Sequence, residues 1–262
     1  MKKPSNVREF EVWYKNQFGE EVGNTKKTYY ENVTRNMHSQ IESSIFWIEF
    51  DDELRKLHEQ YLLDTQFELM LNLKRPELHI KPFISYEDKL LRKNILNNGN
   101  FPEAPDGGWL KIDESFSAIK DIIRTTYVVK YLDGVKLLAE KIKSVANELG
   151  HECTISYEAR DEGYYAAHLD VAFEFEIPSL NWDTYKIKSS FEIQITTQLQ
   201  EVLKKLTHSY YEIKRIQPSK DEGRIWQWDY KSEEFTVNYL GHILHYLEGM
   251  ILEVRDRRGK DA

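Results

Sequence analysis

At 262 residues, with 40% hydrophobic and 13% aromatic residues, the chain can bury one sizeable core and is too rich in Tyr and Trp to be disordered. Its formal net charge of −8 argues against a surface coated with nucleic acid, but not against a local basic patch around a polyphosphate. No apolar run approaches the ~20 residues of a membrane span, the charged opening does not read as a secretory signal, and the lone Cys153 excludes a multi-cysteine zinc site. These features together predict a cytoplasmic protein.

Residues 1–50 are aromatic and polar without a clean period. Leu54, Leu57, Tyr61, Leu62 and Leu63 predict a helix from Asp51 to about Leu73. Pro76 and Pro82 bracket a short segment, Leu78–Ile84, and Ser85 offers an N-cap for a helix reaching Asn97. Gly99–Gly108 reads as a loop. An alternating α/β stretch follows. Ile122–Val129 is a β-branched strand, Val135–Leu149 an amphipathic helix closed by Gly150, and Cys153–Tyr157 a strand. His168–Ile177 alternates Leu169, Val171, Phe173 and Phe175 on one face. Phe191–Thr196 turns Phe191, Ile193 and Ile195 inward and Glu192, Gln194 and Thr196 the other way. Helices are predicted over Thr197–Tyr211 and Tyr239–Arg257, the last apolar at Leu240, Ile243, Leu244, Leu247, Ile251 and Leu252. The fold class is α/β, a mixed β-sheet flanked by helices, with helical extensions over 1–75 and 216–262 around a domain spanning 76–215.

Three groups of side chains could converge: Asp121 at the edge of a strand, Glu192 and Gln194 on a polar strand face, and the loop Arg160–Tyr164 leading to His168. Carboxylates on neighbouring strands can hold Mg²⁺ beside a triphosphate, and a carboxylate can also take a hydroxyl proton. Taken alone, each acid reads first as a surface charge, and only the combined pattern lifts it above that. Lys81, Lys89, Arg92 and Lys93, and further on Lys204, Lys205, Lys214 and Arg215, form basic clusters that are ordinary solvated helix faces when taken one residue at a time. His242 and His245 lack an evident third ligand and read as a packed or surface pair.

Asp121-Ile-Ile-Arg-Thr-Thr-Tyr-Val-Val, Gly163-Tyr164-Tyr165-Ala-Ala-His168, Phe191-Glu192-Ile-Gln194-Ile-Thr-Thr197 and His208, in that order, resemble the synthetase domain of the RelA/SpoT family, a nucleotidyltransferase-like fold. The resemblance covers roughly Lys81 to Tyr211. It implies an ATP-dependent pyrophosphokinase that transfers the pyrophosphate of ATP to a ribose 3′-hydroxyl. Lys81, Ser85, Lys89 and Arg92 then resemble the ATP-binding segment, with Arg124 beside it, although an ordinary amphipathic helix start explains that segment as well. Asp121 and Glu192 resemble the catalytic acids that bind Mg²⁺, Glu192 also activating the hydroxyl. Arg160, Tyr164, His168 and Gln194 fall on the acceptor side, with the acceptor base stacked on Tyr164 and the histidines holding the site by hydrogen bonds.

Several positions depart from the family pattern. Arg124 and Thr126 stand where the family carries Gly and Arg, Tyr165 and Ala166 where it carries Arg and Ser, Thr196 for an Arg, and Arg160 for a Lys. The donor and metal residues are kept while acceptor-side cations are lost. That pattern resembles the toxic small synthetases, whose acceptor is the tRNA 3′ end. GDP or GTP, giving the alarmone (p)ppGpp, is the alternative acceptor, and a catalytically silent nucleotide- or partner-binding regulator is the alternative of another class. No His-Asp dipeptide occurs, so the family's hydrolase domain is not expected. The last helix could meet an antitoxin protein or a second copy, or pack on its own core.

Overall fold

The computed structural model describes residues 3–179, 183–216 and 225–258, excepting the side chains of 208–216 and 258. The elements in order are α1 (Val7–Phe18), α2 (Asn24–Glu42), α3 (Ile45–Thr65), β1 (His79–Ile80), α4 (Phe83–Leu91), β2 (Ile123–Val129), α5 (Leu132–Glu148), β3 (Cys153–Ala159), β4 (Tyr165–Pro178), β5 (Thr184–Thr197), α6 (Gln198–Ile216) and α7 (Glu233–Arg258). A π-helical turn, Arg92–Leu96, extends α4. The strands form a mixed five-stranded sheet in the order β1-β2-β5-β4-β3, as the α/β reading expects. β1 pairs antiparallel with β2, His79 opposite Arg124 and Ile80 opposite Ile123. Among the described residues no helix is long and apolar enough to cross a membrane.

Two compact units interleave along the chain. The first comprises Met1–Ser44, Leu78–Arg124 and Asp170–Glu192, and the second Ile45–Glu77, Thr125–Leu169 and Ile193–Ala262. In the first, α1 starts at Asn6, whose side chain accepts from the Glu9 N–H at 3.0 Å, and stops at Gly19 with φ 72°. α1 buries Phe10, Trp13 and Tyr14, and α2 buries Tyr29, Tyr30, Val33, Met37 and Ile41 at helical spacing. Tyr30 lies 4.5 Å from Tyr86 of α4, and both rings stack on Phe116. The Tyr86 hydroxyl donates to the Ile112 carbonyl at 3.0 Å, and the Tyr14 hydroxyl accepts from the Ile112 N–H at 3.2 Å. The expected helical N-terminal extension is present, but the sequence does not place the limits of α1 and α2, because tyrosine, which hydropathy patterns score as polar, supplies part of their buried face.

In the second unit, α3 buries Phe46, Trp47, Phe50, Leu54 and Tyr61. It begins before the expected Asp51 and ends well before Leu73, because Gln66 takes the left-handed conformation (φ 64°) that closes it. β4 and β5 are both longer than predicted. The first residues of β5, Thr184–Lys188, are mostly exposed and carry no inward alternation for the sequence to betray. The alternation that was legible holds: Ile193 and Ile195 are buried and Gln194 half-buried.

Of the two orientations the sequence left open for α7, the structure takes the one that leaves much of its apolar stripe outside. The helix buries Asn238, Glu248 and Arg255, while Leu240, Ile243, Leu247 and Ile251 are 39–52% exposed. Leu244 and Leu252 are half-buried. Arg255 anchors the helix through Asp133 at 2.7 Å and the Tyr61 hydroxyl at 2.6 Å.

Candidate active site

The residues assigned to the ATP side, with Asp121 and Glu192, all belong to the first unit. Pro82, extended at ψ 145°, occupies the N-cap of α4, so the helix opens at Phe83 and Ser85 lies inside it rather than capping it. Proline, lacking an N–H, is tolerated at such a start without losing a helical bond. Ser85, Lys89 and Arg92 then follow one another along one helical face. Lys81 precedes α4. Its N–H donates to the Ile122 carbonyl at 2.7 Å and its carbonyl accepts from the buried Tyr30 hydroxyl at 2.7 Å. Its backbone is therefore fixed from both sides, and the ammonium is aimed accordingly.

Lys81 and Lys89 meet on Asp121, which sits two residues before β2. Lys81 Nζ lies 2.9 Å from Oδ2, and Lys89 Nζ 2.6 Å from Oδ1. Burial works against the charge on Asp121, but the two lysines outweigh it and hold the carboxyl at about 2. Burial pushes the Lys81 ammonium below the usual lysine range, and nearby Lys89 and Arg124 add to that push while Asp121 opposes it. Arg92 pairs with Asp88 at 3.0 Å on the adjoining turn. Arg124 is exposed on β2. Glu192 is half-buried on β5, one residue after the buried Phe191.

The acceptor-side residues all belong to the second unit. The turn from Arg160 to Tyr164 is closed by the Arg160 N–H donating to the Tyr164 carbonyl at 3.1 Å and the Gly163 N–H to the Arg160 carbonyl at 2.9 Å. Gly163 sits at φ 76°, a left-handed conformation that glycine adopts without steric cost. The Arg160 guanidinium lies over the Tyr164 ring, 5.3 Å from its centroid, and the Tyr164 hydroxyl is 2.9 Å from Nε2 of His168. The structure thus joins Arg160, Tyr164 and His168 in one group. Gln194 accepts from Lys204 of α6 at 3.5 Å. The side chains of His208, Lys214 and Arg215 lie outside the described residues. His242 and His245 are packed, as the sequence suggests, but their partner, Tyr165 beside Tyr164, had no sequence signal. Tyr30 was likewise missed, since nothing local ties it to Lys81.

Among the described residues no three His, Cys, Asp or Glu side chains gather into a metal cluster. Magnesium does not need one. It takes one or two carboxylates and completes its shell with water and phosphate oxygens, and a carboxylate held ionised at about 2 suits it.

No protein-family model matches the chain, and no curated protein matches it by sequence. Solved structures do match its fold. Small alarmone synthetase 1 from Bacillus subtilis superposes with TM-score 0.52 at 13% identity over 81% of this chain and 91% of that one. Small alarmone synthetase 2 from the same organism gives 0.46 at 18% identity, covering 81% and 94%. A GTP pyrophosphokinase family protein from Streptococcus pneumoniae gives 0.45 at 19%, covering 82% and 90%. The first of these establishes that the chain has the fold of a small alarmone synthetase.

Proposed function

We propose that the chain is a pyrophosphokinase that moves the pyrophosphate of ATP to a ribose 3′-hydroxyl. The observation that carries this reading is the cluster of Lys81 and Lys89 on Asp121, built into the fold of a small alarmone synthetase. The lysines and Arg92 neutralise the triphosphate, with Ser85 and Arg124 contacting it at its edges. Asp121 and Glu192 would hold Mg²⁺, which when bound offsets charge on the phosphates. Glu192 takes the proton of the 3′-hydroxyl as its oxygen bonds to the β-phosphorus. The bond from that phosphorus to the oxygen bridging it to the α-phosphorus breaks, and AMP leaves with that oxygen. Rate enhancement comes from positioning and charge neutralisation.

On the acceptor side, Tyr164 supplies the stacking platform, with Arg160, His168 and Gln194 around it. We favour the tRNA 3′ end, which would make the protein an inhibitor of translation. Tyr165, Ala166 and Thr196 stand where the RelA/SpoT resemblance expects acceptor-side cations or their neighbours, and Ala166 and Thr196 are buried. A 5′-diphosphate finds no cation at these positions. The likeness of the fold to that of a small alarmone synthetase favours the second reading, GDP or GTP as acceptor. The exposed apolar stripe of α7 supports a protein partner, either a second copy or an antitoxin. Incubation with γ-labelled ATP and, separately, GDP, GTP and deacylated tRNA tests the assignment. Label on one of them supports pyrophosphate transfer, and label on none overturns it.

A further inference from the structure

We propose that α7 positions the acceptor loop, with His242 as the positioning residue. This rests on the reading of Tyr164 as the acceptor platform. The loop lies directly against the helix backbone. A Cβ added at Gly163 would collide with the Asn238 carbonyl, and one added at Gly241 would collide with the Gly163 carbonyl. The two glycines are required by each other. His242 then bonds the loop on both sides of Tyr164: its Nε2 is 2.9 Å from the Asp161 carbonyl and its Nδ1 is 2.8 Å from the Tyr165 hydroxyl. A carbonyl can only accept, so Nε2 carries the proton and Nδ1 accepts from Tyr165, a tautomer set by the network. The Tyr165 ring lies flat on His245, with centroids 3.7 Å apart and planes 3° apart.

Tyr164 is therefore fixed through residues 161 and 163 before it and 165 after it, all held by one helix. The docking face of α7 explains why this fixes position and not merely proximity. Apolar burial is non-directional, and α7 leaves much of its apolar stripe outside. It docks through hydrogen bonds, a ring stack and two facing glycines, each of which tolerates only one register. Tyr165, which stands where the family resemblance places an arginine, serves the helix instead of the acceptor.

The test compares His242→Ala, Tyr165→Phe and Gly241→Ala in the full chain, with Tyr246→Ala, an exposed residue of the same helix, as control. Measurements are amide exchange over residues 160–165 and KM for ATP and for the acceptor, using deacylated tRNA with GDP in parallel. We expect faster exchange and an acceptor KM raised about tenfold in His242→Ala, with KM for ATP unmoved and a smaller effect in Tyr165→Phe, which keeps the ring stack. His242→Gln, which can still donate to Asp161, should recover part of the loss. Unchanged exchange in both His242→Ala and Gly241→Ala overturns the clamp. Faster exchange with an unchanged acceptor KM shows that the helix holds the loop but that Tyr164 is not the platform, which overturns the positioning role through its premise.

Discussion

Asp121 faces two ammonium groups at once, Lys81 at 2.9 Å and Lys89 at 2.6 Å, and the Lys81 side chain is only 8% exposed. Removing the carboxylate therefore does two things. It deletes the carboxylate proposed to hold Mg²⁺, and it strands a buried cation. Asp121→Asn should lower transfer by at least about a hundredfold and also destabilise the fold by roughly 1–3 kcal/mol. Thermal melting and labelled-ATP assays read the two effects separately. Normal turnover at saturating Mg²⁺ would remove Asp121 from the chemistry.

Glu192→Gln is the cleaner test of catalysis. Glu192 is half-buried on β5, and the change keeps its size while removing its charge. The expected loss in kcat is ~10²–10⁴-fold, typical for a lost general base. A kcat within a few-fold of the parent would mean that another group takes the proton.

Glu87 gives a pH signature in the same helix as Lys89. It is 4% exposed, and burial, reinforced by Glu11, pushes its carboxyl up to about 7. A raised carboxyl favours the protonated form in the folded state. Its stabilising contribution is thus complete below the unfolded value near 4.5 and is lost as pH rises through about 7. Glu87→Gln should raise the melting temperature at pH 8, by a free energy on the order of 1–2 kcal/mol, and flatten the stability profile between those pH values. A variant no more stable than the parent at pH 8 would refute the assignment.

The sheet was legible in the sequence where one face is apolar and the other polar. Val171, Phe173 and Phe175 of β4, and Phe191, Ile193 and Ile195 of β5, are all buried as their alternation requires. Glu192 and Gln194 were placed by the same parity. The helical character of the N-terminal extension was legible but the course of its helices was not, because Tyr29 and Tyr30 bury aromatic rings while their hydroxyls find carbonyl partners at Pro178 and Lys81. The orientation of α7 was not legible either. A periodic apolar stripe says that a helix has two faces, and only the bonds made by Arg255 and His242 say which one turns inward.

Tyr164→Ala tests the acceptor platform. A lost stacking interaction of about 1–3 kcal/mol corresponds to a rise in acceptor KM of roughly ten- to a hundredfold, with KM for ATP unchanged. Because Tyr164 also bonds His168 at 2.9 Å, Tyr164→Phe separates stacking from that bond, and it should keep most of the affinity. Equal effects on both substrates would make Tyr164 structural.

The acceptor itself can be read from salt. A nucleotide diphosphate needs cations close to the chemistry, and the buried Ala166 and Thr196 supply none. An RNA end can be held farther out, and Lys205, 74% exposed on α6, is available for such a contact, as is Lys204 beside Gln194. Each phosphate contact releases a counterion, so transfer to tRNA should fall steeply as salt rises, by about 10³-fold or more between 50 and 200 mM if six phosphates are engaged. The net charge of −8 opposes long-range attraction of a polyanion and makes short-range contacts carry the binding. Lys204→Ala with Lys205→Ala should weaken tRNA use and make the salt dependence shallower, without altering KM for ATP. Strong transfer to GDP or GTP, with none to deacylated tRNA, would instead make the protein an alarmone synthetase and assign Arg160 and Tyr164 to a guanine nucleotide.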